Sequence, residues 1–369
     1  MIRVFIVDDS PIARVVLSKM VNSAPDMEVV GTAVNGEEAL TMIPQLRPQV
    51  ILTDLHMPRM DGLTLTREVM VRHPLPILVI SVSVHQEDNE NNIFELLEAG
   101  AIDVFPKPRG GLESAGEALT QELAGKIRIL SGVVPIRRHR SAAGVSRNRP
   151  AEAGKNPLAT QTVTPLPRRP TASPALVAIG ASTGGPQALL TIFSALPAKF
   201  PLPILCIQHI SHGFLEEMVS WLNLHTPLMV RVAQSGEKPL PGYIYFPKED
   251  SHLLINDQGC FALDAGSSQD THRPAVDKTF FSVARVFQSG GIGVLLTGMG
   301  RDGADGLLAM AQANGTTIAQ DEESCVVFGM PKQAIDLGAA GKVLPITGIA
   351  RELCRLAGVN QPTWAQGGE

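Results

Sequence analysis

The sequence predicts an α/β protein built from two parallel-sheet domains, and three observations carry that expectation. Short apolar runs alternate with amphipathic helical patterns five times between residue 1 and about residue 130. The alternation stops over residues 131–174, where Pro, Ala, Ser, Thr and Arg replace the apolar periodicity. It resumes at residue 175 and runs to about residue 358. Strands that are apolar on both faces need helices on both sides, and strand–helix repeats supply them. At 369 residues the chain also exceeds the usual size of one compact core.

Within residues 1–130, strands are expected at 4–7, 29–33, 50–53, 77–81 and 101–105. Helices are expected at 12–23, 36–46, 63–72, 86–98 and 113–130. Open parallel sheets bind ligands beyond the carboxyl ends of their strands. Asp8 and Asp9 follow the first strand there, Asp54 the third and Lys107 the fifth, while Ser81 ends the fourth. Three crowded carboxylates repel one another and call for a cation, and hard oxygen donors suit Mg²⁺. A carboxylate nucleophile beside Mg²⁺, an ammonium and a hydroxyl can accept a phosphoryl group. Any one aspartate alone would read as a loop cap; their joint placement points to a site.

These residues carry a resemblance. VDDS (7–10), Asp54 with MPRMDG (57–62), Ser81 and KP (107–108) resemble the receiver domain of two-component response regulators. The resemblance implies a flavodoxin-like fold with a five-stranded parallel sheet and a histidine kinase as partner. It implies Asp54 as phosphoacceptor and Mg²⁺ held by Asp9, Asp54 and the His56 carbonyl, with Asp8 assisting. Ser81 and Lys107 would contact the phosphoryl oxygens. One departure is Val104, three residues before the lysine, where many receivers carry an aromatic. The resemblance therefore does not carry over a rotating aromatic as the transmitter of the signal, and the route is left open.

Residues 131–174 read as a flexible linker, and residues 359–369 as a loose tail. Arginines 137, 138, 140, 147, 149, 168 and 169 make the linker basic, but no aromatic interleaves them, so a solvated tether is expected. A net charge of −5 gives the chain no basic field, and no nucleic-acid partner is expected. The chain enters an apolar strand directly, without a signal-peptide layout, and no apolar run approaches the ~18 residues that span a bilayer. A cytoplasmic protein without membrane insertion is the expectation. Cys206, Cys260, Cys325 and Cys354 lack metal-ligand spacing and read as reduced thiols.

The second domain, 175–358, opens on the sequence LVAIGASTGGPQALL (176–190). A strand turning sharply into a helix at G-x-S-x-G lifts Ser182 clear of the sheet edge, as in a nucleophile elbow. The free N–H groups of a helix start could hold an oxyanion, though a serine there can also be a plain N-cap. Strands are expected at 203–208, 229–232, 243–246, 253–256 and 293–297, and helices at 214–224, 276–287 and 304–313. A serine nucleophile needs a base and an orienting acid near the same edge. His209 follows the strand ending at 208, and Asp302 lies in the loop after 297. Gly298, Gly300 and Gly303 also spell the dinucleotide pattern G-x-G-x-x-G, with Asp321 as a possible ribose acid. A carboxylate at Asp302 would repel a pyrophosphate, which weighs against that reading.

GASTGGP (180–186), QH (208–209), HRPAVD (272–277) and LTGMGRDG (296–303) resemble the chemotaxis protein-glutamate methylesterases of the CheB family. The resemblance implies Ser182 as nucleophile, His209 as base and Asp302 as orienting acid. The N–H groups of Thr183 and Met299 would form the oxyanion hole, with no cofactor in this domain. It also implies a phosphorylation-activated hydrolase acting on γ-glutamyl methyl esters, and on specific glutamines, of the cytoplasmic helices of methylated chemoreceptors. Residues 211–212 and 246–252 depart from the family pattern. Two other classes are a phosphorylation-controlled scaffold with an incidental triad and a receiver joined to a DNA-binding effector. The absence of a helix-turn-helix pattern or basic recognition helix opposes the latter.

Overall fold

The computed structural model describes residues 1–81, 93–108, 116–133, 173–267, 270 and 272–360. Residues 134–172 of the expected linker, residues 361–369 of the expected tail and the expected helical residues 86–92 lie outside the described residues.

The N-terminal domain runs β1 (Ile2–Val7), α1 (Pro11–Asn22), β2 (Met27–Ala33), α2 (Gly36–Leu46), β3 (Val50–Asp54), α3 (Gly62–Arg72), β4 (Ile77–Ser81), α4 (Ile93–Ala99), β5 (Asp103–Pro106) and α5 (Glu117–Leu130). The five strands form one parallel sheet in the order β2-β1-β3-β4-β5. Ser10, Asn35 and Asp61 each accept a backbone N–H at the start of α1, α2 and α3, satisfying one of the donors that a helix start leaves free. Helix α5 begins at Glu117 after Gly116, while residues 113–115 of its expected start lie outside the described residues, and β5 spans Asp103–Pro106 rather than 101–105. Every residue of β3 and β4 is buried, so apolar pattern alone gives no sharp end to such strands.

The C-terminal domain runs β6 (Leu176–Ala181), α6 (Gly185–Ser194), β7 (Ile204–Gln208), α7 (Leu215–His225), β8 (Met229–Val232), β9 (Tyr243–Phe246), β10 (His252–Ile255) and β11 (Phe261–Asp264). It continues as α8 (Val276–Phe287), β12 (Gly291–Leu295), α9 (Ala304–Gln312), β13 (Thr316–Gln320), α10 (Met330–Asp336), β14 (Lys342–Leu344) and α11 (Ile346–Leu356). Seven parallel strands are ordered β14-β13-β12-β6-β7-β9-β8, while β10 and β11 form a separate antiparallel pair. After β6 the chain builds outward on one side, then returns to lay β12 against β6 on the other. That reversal opens a crevice at the carboxyl end of β6, where open α/β sheets bind ligands. The expected strand at 293–297 lies at Gly291–Leu295, because Thr297 turns its N–H to the Gln320 side chain instead of a strand partner. All four cysteines are free thiols.

The two domains touch through α4. Phe94 stacks on Trp221 of α7 with ring centroids 5.1 Å apart, and Trp221 Nε1 donates to Glu98 Oε1 at 3.0 Å. Gln187 Nε2 of α6 donates to the carbonyl of Leu97 at 2.8 Å and also to that of Ala101. One cluster of buried apolar residues passes from domain to domain through these rings. Full burial of a phenylalanine side chain contributes about 1.5–3 kcal/mol, so this is an anchored contact.

Gly184 precedes α6 with φ +77°, and a Cβ there would lie 2.6 Å from Val326 Cβ. Gly184→Ala should therefore lower stability by about 1–3 kcal/mol through left-handed strain and overpacking. Urea denaturation measures this, and an unchanged midpoint would contradict it.

Candidate active site and phosphoacceptor cluster

At the carboxyl edge of the N-terminal sheet, Asp8, Asp9 and Asp54 each offer a carboxylate oxygen, and the three atoms lie within 4.8 Å of one another. Asp8 and Asp54 are buried, whereas Asp9 is exposed. Lys107 reaches across from the end of β5, placing Nζ 2.6 Å from Asp54 Oδ2 and 2.9 Å from Asp8 Oδ2. Burial pushes the Asp54 carboxyl above its ordinary range, and the neighbouring Asp8 charge adds to this, despite the Lys107 ammonium. Burial alone would lower the Lys107 ammonium, but Asp54 and Asp8 hold it above its usual value. Hard oxygen donors this close, with only one ammonium between them, fit a divalent cation such as Mg²⁺. Ser81 is buried at the end of β4, and His56 follows two residues after Asp54 on the exposed surface. Val104 is buried in β5 on the face of the shared interdomain cluster, so the position offers no aromatic ring to rotate.

The second site sits in the crevice beside β6. Ala181 pairs with Gln208 in the parallel register, so Ser182 and His209 leave adjacent strands side by side. His209 Nε2 lies 2.8 Å from Asp302 Oδ2. The same carboxylate accepts the N–H groups of Val276 at 2.8 Å and Asp277 at 2.9 Å. Ala275 at the N-cap of α8 supplies no side-chain cap, so Asp302 closes that helix start from a different loop. Burial alone would raise the Asp302 carboxyl, but the His209 bond and these N–H groups hold it below the usual range. With Nε2–H given to Asp302, the lone pair of His209 resides on Nδ1. No hydrogen bond joins the Ser182 hydroxyl to His209 among the described residues. Contacts of this kind tighten when substrate arrives.

Thr183 and Met299 flank the serine. The Gly298 backbone packs directly on Ser182, where a Cβ would lie 2.6 Å from Ser182 Cβ, and this brings Met299 to the crevice. Thr183 is buried, while Met299 is exposed at the rim.

Gln208 and His272 lie within the sequence motifs without a role of their own there. His272 stacks on His209 with centroids 4.4 Å apart and planes 15° from parallel. Desolvation of the ring against His209 holds the His272 imidazole below its usual range, although the residue as a whole is exposed. No pattern in the sequence signals that stack, because His272 arrives on a loop after the β10–β11 pair. The glycine pattern also finds its explanation here. Gly303 has φ +90° and would place a Cβ 2.5 Å from Leu295 and 2.7 Å from Val276, so it allows α8 to approach β12. Asp321 accepts from the Ser324 N–H and hydroxyl in a local turn, which leaves the dinucleotide reading without its ribose acid.

The N-terminal domain reaches this crevice. The Thr183 hydroxyl lies 3.4 Å from Asp103 Oδ2 of β5, and Lys126 of α5 pairs with the same carboxylate at 2.6 Å. Ser211, just beyond His209, donates to Glu122 of α5 at 3.3 Å.

A family model described as CheB methylesterase matches residues 177–353, and one described as a response regulator receiver domain matches residues 4–114. A protein-glutamate methylesterase/protein-glutamine glutaminase of Nitrosospira multiformis is 39% identical over 356 residues, covering 96% of this chain and 97% of its own. A relative of the same name, numbered 2, from Paramagnetospirillum magneticum is 40% identical over 359 residues, covering 96% and 97% respectively. The crystal structure of the Thermotoga maritima CheB methylesterase catalytic domain matches 50% of this chain and 100% of that one, at 41% identity and a TM-score of 0.48.

Asp302→Ala should cost about 1–3 kcal/mol, because it leaves the start of α8 and the His209 ring without their acceptor. The Asp302 carboxyl is depressed in the folded state, so its contribution is complete above the unfolded-state value and fades as pH falls through the folded-state one. Denaturant titrations of the two proteins should therefore differ at neutral pH and converge in acid; a pH-independent gap would contradict this.

Proposed function

The chain belongs to the family of CheB-type protein-glutamate methylesterases/protein-glutamine glutaminases, and we propose that Ser182, His209 and Asp302 form its catalytic triad under the control of Asp54. The family assignment makes it a receiver-regulated hydrolase of protein glutamyl methyl esters and protein glutamines. The observation that carries the triad is the register of β6 against β7, with the His209–Asp302 bond of 2.8 Å beside it. With Nε2–H given to Asp302, Nδ1 of His209 is the nitrogen left to take the serine proton.

In this reading the Ser182 hydroxyl attacks the ester carbonyl while His209 Nδ1 takes its proton. The N–H groups of Thr183 and Met299 hold the oxyanion, and Asp302 keeps the imidazole in the needed tautomer. Methanol departs with the proton from His209, and water then cleaves the acyl-serine with the same histidine as base. A glutamine side chain follows the same course with ammonia leaving. None of these steps calls for a metal or cofactor in this domain. The substrates proposed are methylated glutamates and glutamines on the cytoplasmic helices of chemoreceptors, with the enzyme on the cytoplasmic side. No described helix is long and apolar enough to cross a membrane.

Asp54 is proposed as the phosphoacceptor, served by the histidine kinase of a chemotaxis-type pathway. Asp8, Asp9, Asp54 and the His56 carbonyl would hold Mg²⁺, which when bound offsets the charge of the incoming phosphoryl group. Ser81 and Lys107 would contact the phosphoryl oxygens. The contacts of Asp103, Glu122 and Phe94 with the C-terminal domain support a receiver that covers the crevice until Asp54 is phosphorylated. A tethered domain has a high effective concentration, so a modest interface suffices to keep the crevice covered.

Ser182→Ala should lower methanol release from methylated receptor membranes on the order of 10⁶-fold, and Asp302→Asn on the order of 10⁴-fold. Substantial Ser182-independent release would refute the nucleophile assignment. A fragment starting at Ser173 should outpace the unphosphorylated full chain and ignore phosphodonor, whereas phosphorylation should speed the full chain. Asp54→Asn or chelation of Mg²⁺ should abolish that acceleration. A fragment no faster than the intact unphosphorylated chain would exclude simple covering of the crevice.

A further inference from the structure

Gln208 ends β7 one residue before His209 and is only 2% exposed. Its carboxamide Nε2 donates to the Ser182 carbonyl at 2.8 Å and to the His209 carbonyl at 2.7 Å, which uses both of its protons. Its Oε1 is buried without a hydrogen-bond partner among the described residues. That oxygen lies against Gly185, where a Cβ would come within 1.9 Å of it. Leaving a buried amide oxygen unpaired carries a free-energy cost, and so does reserving a position for glycine beside it. Mere space-filling needs neither.

The two bonds fall on the peptides that the reaction uses. The Ser182 carbonyl receives Gln208 Nε2 and, at 2.8 Å, the Gly185 N–H. A trans peptide is planar, so its carbonyl and the N–H that follows point in opposite directions. Holding the Ser182 oxygen toward Gln208 therefore turns the Thr183 N–H away from it. On the next peptide, the Thr183 carbonyl accepts from the Thr297 hydroxyl at 3.0 Å, so Thr183 is fixed on both sides. The same carboxamide also holds the His209 carbonyl, linking the backbone of the serine to that of the histidine.

We propose that Gln208 is a positioning residue of the ester hydrolysis, whose carboxamide orients the Ser182–Thr183 peptide so that the Thr183 N–H meets the developing oxyanion. The inference rests on Ser182 acting as the nucleophile. An oxyanion donor acts chiefly in the transition state, so losing its aim lowers kcat and leaves KM nearly unchanged.

The test uses the full chain, phosphorylated by a small acyl phosphate with Mg²⁺ and assayed for methanol release from methylated receptor membranes. Gln208→Met keeps the length of the side chain and removes both donors. Gln208→Glu faces two carbonyls and can keep one donor as the protonated acid. The Met variant should lose about 10²–10³-fold in kcat, the Glu variant less, with KM little changed in both. Affinity for an alkyl boronate that adds to Ser182 should fall in the same order, while circular dichroism shows both variants folded. A Gln208→Met kcat equal to that of the wild type overturns the inference. So does a loss of activity that tracks only the unfolded fraction, or one confined to KM. An inactive wild-type chain would overturn the functional reading and this inference with it, whereas an active wild type with an equally active Met variant overturns this inference alone.

Discussion

The C-terminal site depends on one carboxylate placed before the first turn of a helix it does not belong to. Asp302 accepts from the Val276 and Asp277 N–H groups and from His209 Nε2, so one side chain caps α8, fixes the loop after β12 and selects the imidazole tautomer. The helix can come near enough only because Gly180 and Gly303 lack side chains; a Cβ at Gly180 would lie 2.3 Å from Val276 Cγ1. Two glycines of what reads in the sequence as a phosphate-binding pattern, Gly298 and Gly303, are thus positions of close packing, while Gly300 serves a left-handed turn at φ +87°.

The carboxyl-end rule explains why so much of both sites was legible. In a parallel sheet every strand's carboxyl end opens on the same edge, whatever the strand order. Asp8, Asp54 and Lys107, like Ser182 and His209, could therefore be grouped from chain position alone. Strand order itself could not be read, since β12, β6 and β7 are all buried and nothing in their composition distinguishes neighbours. The polar edges of β13 and the short β14 carry too weak an apolar signal to stand out, and the sequence reading left both unassigned. Gln208 and His272 stayed without roles for a different reason. The partners that give them a role, the Ser182 carbonyl for Gln208 and the His209 imidazole for His272, come from distant segments, and no periodicity encodes such pairs.

The acidic cluster of Asp8, Asp9 and Asp54 is joined to the crevice through β5. Asp103 stands in β5, four residues before Lys107, and its carboxylate meets both Lys126 and the Thr183 hydroxyl. Val104, next in the strand, packs into the cluster that includes Phe94 and Trp221. A short strand thus carries the ammonium that faces Asp54 at one end and the acid that faces Thr183 at the other. On the proposed role of Asp54, a displacement of β5 would link the two sites without a switching aromatic.

The Phe94–Trp221 contact makes the coupling a two-way property. Linkage is reciprocal for equilibrium binding: on the proposed covering of the crevice, the factor by which a phosphoryl group on Asp54 raises the affinity of the crevice for a polypeptide is the factor by which that polypeptide prefers the phosphorylated chain to the unphosphorylated one. On that proposal a membrane crowded with methylated sites would collect phosphorylated chains in preference to unphosphorylated ones, so the amount of ester left to remove would itself sort the enzyme by its signalling state.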